Sequence, residues 1–171
     1  LTNSSGAYGT TISEHLIMVC LMLLRRQMEY TEVIRNGGWE TLPGGIRSLH
    51  GARITVLGTG DIGTEFARRA QAFHPACITG VRRTVRSSDP AFTSIHASAE
   101  LDSVLPETDI LVMALPSTAE TVGILSRERI ALLPDSAFVV NVGRGTAIDQ
   151  EALCDALNAG RLAGAALDVV V

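Results

Sequence analysis

Cysteine is scarce and poorly placed for cross-linking. Cys20, Cys77 and Cys154 are the only three, odd in number and without a CxxC pair. That argues against a disulfide scaffold or a zinc site and suits reduced thiols in a cytoplasmic setting. Long apolar runs are missing too. The longest, Leu16 to Leu24, ends at Arg25-Arg26 and falls short of the ~20 residues that span a bilayer. It lacks the basic start of a signal peptide. There is no excess of positive charge: the net charge of −4 offers no general attraction for nucleic acid or an acidic membrane. Internal repeats, low-complexity segments and metal-ligand spacings are absent from the sequence, so no metal site is expected. What is present suffices for one packed domain, since the 171 residues are 46% apolar and 19% charged.

The elements alternate along the chain. Residues 11–36 read as one long helix, opened by capping-box spacing at Thr11-Ile12-Ser13-Glu14 and stopped at Asn36-Gly37-Gly38. Apolar side chains cover most of its circumference, so more than one face should be buried. A Gly-rich connector with Trp39 runs to His50. Strands are expected at 53–57, 76–81, 93–96, 109–114, 137–141 and 164–167, and helices at 61–73, 98–105, 126–132 and 149–159. Short apolar strands alternating with helices indicate βαβ units: an α/β fold built on a doubly wound parallel sheet.

Two stretches carry chemistry. In Arg53-Ile54-Thr55-Val56-Leu57-Gly58-Thr59-Gly60-Asp61-Ile62-Gly63 a strand runs through G-x-G-x-x-G into a helix. Gly58 permits the tight turn, Gly60 lets a pyrophosphate approach the backbone, and Gly63 lets the helix pack on the strand. Phosphates would bind the free N–H groups at the helix start. An acid that grips a ribose 2′-hydroxyl is expected about 20 residues on. Val81 stands there instead, followed by Arg82 and Arg83. A guanidinium fork binds a 2′-phosphate where a carboxylate would repel it, so NADP is favoured, with NAD as the alternative. The second stretch, Asn141-Val142-Gly143-Arg144-Gly145, follows the apolar run Ala137-Phe138-Val139-Val140. A cation at the end of a buried strand needs an anion, either a ligand or a structural partner.

Four stretches occur in order: Gly58 to Gly63, Leu115-Pro116-Ser117-Thr118-Ala119-Glu120-Thr121, Asn141 to Gly145, and Gly164-Ala165-Ala166-Leu167-Asp168-Val169. With them, the chain from a Thr2-Asn3 hinge to Val169 resembles the coenzyme domain of the D-isomer-specific 2-hydroxyacid dehydrogenases. The resemblance implies hydride transfer between NAD(P)H and a small 2-oxo or D-2-hydroxy acid. It gives Arg144 the role of holding the substrate carboxylate and carbonyl. It places Val142 and Gly143 near the nicotinamide ribose, Asp168 on the nicotinamide carboxamide, and Leu115, Pro116 and Thr121 beside the adenosine. It further implies a homodimer built through residues 11–50, with residues 1–171 forming the dinucleotide-binding domain and the substrate domain lying elsewhere.

Departures from the family pattern set further expectations. His74-Pro75 stands where many relatives have a glycine, and should reshape the turn before the second strand. The family's catalytic glutamate and histidine are expected past Val171, so the 171 residues alone should bind cofactor without turning over 2-oxo acids. None of His15, His50, His74 and His96 occupies the family position. His96, near a strand end, reads as a satisfied polar group and is the nearest candidate for a proton donor. His15 and His50 have ordinary structural readings. Two other functions fit such a fold: a non-catalytic nucleotide-sensing module of the corepressor type, and a dimerisation unit.

Overall fold

In the computed structural model, residues 6–85 and 88–171 are described, and the Thr2-Asn3 hinge lies outside them. The helices α1 (Gly9–Leu24) and α2 (Gln27–Arg35) open the chain. They are followed by β1 (Arg53–Leu57), α3 (Asp61–Ala70), β2 (Cys77–Arg82), β3 (Ser94–Ala97), α4 (Leu101–Val104) and β4 (Ile110–Met113). The chain closes with α5 (Arg127–Leu132), β5 (Phe138–Asn141), α6 (Gln150–Asn158) and β6 (Gly164–Leu167). The strands form one sheet in the order β3-β2-β1-β4-β5-β6, and every pairing is parallel. This is the expected doubly wound fold, with the order reversing between β1 and β4.

Each strand turns alternate side chains to opposite faces, and both faces are covered. Ile54, Val56, Ile110, Val112 and Val140 pack with Leu16, Cys20 and Leu24 of α1 and Phe66, Ala67 and Ala70 of α3. Leu57, Leu111, Met113 and Val139 pack with Leu101, Ile130, Ala152 and Leu153 from α4, α5 and α6. Fully buried Leu16, Phe66 and Leu111 contribute about 1.5–3 kcal/mol each by leaving water. Burial also pushes the Cys20 thiol up to about 12, which makes it an inert core group.

The single helix expected over 11–36 is two helices. Helix α1 begins at Gly9 behind Tyr8, with no side-chain cap, so Thr11 and Glu14 form no capping box. It ends at Leu24, where contact with the core ends. Arg26 then takes the left-handed region, φ 53°, and its guanidinium reaches Glu29 at 2.6 and 2.9 Å and the Pro43 carbonyl. The second helix buries no residue, and Met28 and Ile34 are exposed. His74 also adopts φ 53°, a conformation that glycine takes without cost. The His-Pro pair thus keeps a glycine-like backbone at the turn instead of reshaping it there.

Candidate functional site

The reversal of strand order leaves a crevice at the carboxyl ends of β1 and β4, the place where doubly wound sheets bind ligands. Here it is a cavity of about 550 Å³. Gly58, Gly60, Val81, Arg82, Arg83, Leu115, Pro116 and Thr121, all picked from sequence, line it. Thr59, Thr84, Ser98, Thr118, Glu120 and Ile124 line it as well, beyond the residues expected from the sequence. Thr118 and Glu120 belong to the stretch Leu115 to Thr121, whereas nothing in the sequence around Ser98 marks it.

The three glycines do different work. Gly58 has φ +98°, and a Cβ there would lie 2.6 Å from the Ala114 carbonyl oxygen. At Gly63 a Cβ would lie 2.0 Å from the Gly58 carbonyl oxygen, so the start of α3 rests directly on the β1 turn. At Gly60 a Cβ would meet nothing within 4 Å. The middle glycine therefore fills no protein contact and leaves open space over the first turn of α3, whose N–H groups lack intrahelical acceptors. Beside it, Thr59 Oγ1 is buried without a hydrogen-bond partner. An open cradle, unspent donors and an orphaned hydroxyl fit a bound dinucleotide pyrophosphate.

Asp61, Ile62 and Gly63 do not line the cavity. The Asp61 carboxylate instead accepts from Gly6 N–H at 3.2 Å and lies against Gly9, tying the start of α1 to α3. Ile62 packs on the core. On the far rim, Arg82 is half-buried and Arg83 exposed, and neither has a carboxylate within 4.0 Å among the described residues. Glu120 faces Arg83. A hydrogen bond with Thr118, then its own backbone N–H and the charge of Arg83, hold its carboxyl below the ordinary range. The Thr121 hydroxyl is spent inside its loop, accepting from Thr118 N–H at 2.8 Å and donating to the Pro116 carbonyl at 2.6 Å.

The loop after β5 is built on Asn141, which is fully buried. Its side-chain oxygen accepts from Gly143 N–H at 2.9 Å, and its amide donates to the Arg144 carbonyl at 3.0 Å. Gly143 sits so close to Leu115 that a Cβ would lie 2.6 Å from its carbonyl oxygen. Arg144 is thereby held on a fixed backbone. Its side chain is exposed, donates to the Gly143 carbonyl at 2.6 Å, and has no carboxylate within 4.0 Å among the described residues. Among the described residues, this arginine therefore has no structural ion pair. Asp168 follows β6, with its N–H on the Asn141 carbonyl at 2.9 Å. Val142 and Asp168 line a separate small cleft.

His96 lies on β3, the sheet edge, four strands from β5 and roughly 19 Å across at ~4.8 Å per strand. Its Nδ1 lies 3.5 Å from Glu100. The histidine near the loop after β5 is His15 of α1, its Nε2 3.8 Å from Asp168 Oδ1. A helix position distant in sequence gave no sign of this neighbour.

Residues 17–171 match the family described as D-isomer specific 2-hydroxyacid dehydrogenase, NAD binding domain. The chain belongs to this family. It is 34% identical over 168 residues to glyoxylate/hydroxypyruvate reductase B of Pectobacterium carotovorum subsp. carotovorum, covering 94% of this chain and 51% of that protein. The chain thus spans about half the length of the curated relatives it matches. Among solved structures it resembles a D-isomer specific 2-hydroxyacid dehydrogenase from Xanthobacter autotrophicus Py2 in complex with NADPH and MES. There the TM-score is 0.85 at 30% identity, over 99% of this chain and 69% of that one. An NADPH-dependent glyoxylate/hydroxypyruvate reductase from Sinorhizobium meliloti, in complex with NADP and sulfate, gives a TM-score of 0.86 at 27% identity, over 99% and 53%. Within this family, the described fold is the NAD-binding domain.

Proposed function

We propose that this domain binds NADP(H) in preference to NAD(H), and that the whole protein transfers hydride between this cofactor and a small 2-oxo or D-2-hydroxy acid. The observation that carries the cofactor preference is the rim of the crevice: Val81 where a ribose acid would stand, with Arg82 and Arg83 lining the cavity beside it. The NADP- and NADPH-bound relatives support the same reading. Gly58, Gly60 and the first turn of α3 (Asp61, Ile62, Gly63) would hold the pyrophosphate. Leu115, Pro116 and Thr121 would flank the adenosine, Val142 and Gly143 the nicotinamide ribose, and Asp168 would accept from the carboxamide. The cofactor supplies the hydride. Arg144, held on a fixed backbone and without a carboxylate partner among the described residues, would grip the substrate carboxylate and polarise the adjacent carbonyl.

The proposed organisation is a dinucleotide-binding domain over residues 1–171, with residues 1–50 supplying the hinge and a two-fold contact between copies. Exposed Trp39, Met28 and Ile34 support that contact. A cytoplasmic location agrees with three free cysteines. No described helix is long and apolar enough to cross a membrane.

Calorimetric titration tests the cofactor preference. NADPH should bind about tenfold or more tightly than NADH, the effect of a charge-assisted contact of ~1.5–3 kcal/mol. The Arg82→Ala and Arg83→Ala substitutions should shrink the difference. Equal affinities in the unaltered protein would overturn the reading.

A further inference from the structure

The small cleft beyond β5 and β6 holds a pair of ionisable groups, of which one, His15, is left without a role by the family resemblance. It measures about 150 Å³, well under the ~300–1,000 Å³ of sites for drug-sized ligands, and so has the scale of one ring. Val19, Val142 and Leu167 give it apolar walls, and His15, Asn141 and Asp168 its polar ones. His15 Nε2 and Asp168 Oδ1 are 3.8 Å apart, with side-chain exposures of 39% and 56%. That gap exceeds a hydrogen bond but is short enough for an ion pair once the imidazole is charged. Neither backbone can drift. Buried Ser13, Leu16 and Cys20 lock α1, and the Asp168 N–H is fixed on the Asn141 carbonyl.

We propose that His15 is a positioning residue: it orients and partly neutralises the Asp168 carboxylate at the nicotinamide end of the cofactor, and so biases the domain toward reduced cofactor when its imidazole is protonated. This rests on the reading of Asp168 as the carboxamide acceptor. The oxidised nicotinamide ring carries a positive charge and the reduced ring does not. An unmasked Asp168 therefore favours the oxidised form, and an imidazolium beside it cancels that advantage. Histidine is the side chain whose ordinary titration falls between about pH 5 and 8. The other charges at this end are few. Glu14 is exposed beside His15 on α1, Asp61 of α3 is turned to Gly6, and Arg144 donates to the Gly143 carbonyl. Among the described residues, the walls from β5, β6 and the loops after them carry one charged group, Asp168.

The test is the ratio of the NADP+ and NADPH dissociation constants at about pH 6 and about pH 8.5. The 2′-phosphate is common to both ligands and cancels. In the unaltered chain the ratio should rise about two- to fivefold as pH falls, the range of a partly exposed ion contact. His15→Gln should hold it at the high-pH value and His15→Arg at the low-pH value, at both pH. A pH-independent ratio in the unaltered chain, or titration surviving in His15→Gln, would overturn the inference. Asp168→Asn separates the two levels: if it leaves both affinities unchanged, the carboxamide reading of Asp168 itself fails, and the role of His15 with it.

Discussion

At the scale of single residues, Gly58, Gly60 and Gly63 make separable claims. Gly63 is packed on backbone, so Gly63→Ala should cost about 1–3 kcal/mol in denaturant-induced unfolding, as overpacking does. Gly60 has open space and an ordinary φ of −82°, so Gly60→Ala should leave stability within about 0.5 kcal/mol. The same substitution should weaken NADPH binding, because the methyl would stand where the pyrophosphate approaches. Equal effects of the two substitutions on stability would contradict this division. The glycines were legible because spacing alone fixes their backbone roles. Asp61 was not: a motif gives a position, not a side-chain direction, and here the carboxylate turns to Gly6 and Gly9. Thr59 and Ser98 escaped for a similar reason, since nothing local distinguishes a hydroxyl that lines a cavity from one in water.

At the scale of elements, the six strands were legible to within a residue or two because buried parallel strands are short continuous apolar runs. The caps were less so: the capping-box spacing at Thr11 to Glu14 forms no cap, while Asp149 accepts from Ala152 N–H at 2.9 Å at the start of α6. The break between α1 and α2 was not. Apolar residues continue past Arg25, yet Met28 and Ile34 have no core to meet, and a pattern of apolar positions does not report where the sheet ends. On the opposite edge from the crevice, Arg53 at the start of β1 pairs with Asp109 at 2.9 Å and with Glu107. Burial works against the charge of Asp109, but hydrogen bonds from Arg53, then the charges of Arg53 and Arg47, outweigh it and hold its carboxyl below the ordinary range. A carboxylate lowered in the folded state stabilises the fold above the ordinary carboxylate range. It loses that contribution as pH falls through its depressed value. Urea unfolding should therefore show about 1 kcal/mol lost below roughly pH 4, and Arg53→Met should flatten that dependence. An unchanged slope in the variant would remove the pair from the account.

At the scale of the whole molecule, the parallel sheet followed from alternation of strands and helices, but the neighbours across it did not. His15 and Asp168 meet because α1 packs beside α3 on one face of the sheet and reaches β5 and β6. No spacing encodes such a contact. Helices α1 and α2 border a second cavity of about 470 Å³ against β6, lined by Met22, Leu23, Met28, Phe138 and Ala165. Together with exposed Trp39 this is the surface proposed to meet a second copy. Light scattering at micromolar concentration should give twice the chain mass, and a monomer would refute the dimer. The central claim is that the dinucleotide lies in the glycine crevice. Amide chemical-shift mapping during an NADPH titration tests it most directly. Shifts should cluster at Gly58, Gly60, Arg82, Leu115 and Thr121. Shifts confined to the α1–α2 cavity, or none at saturating NADPH, would contradict it.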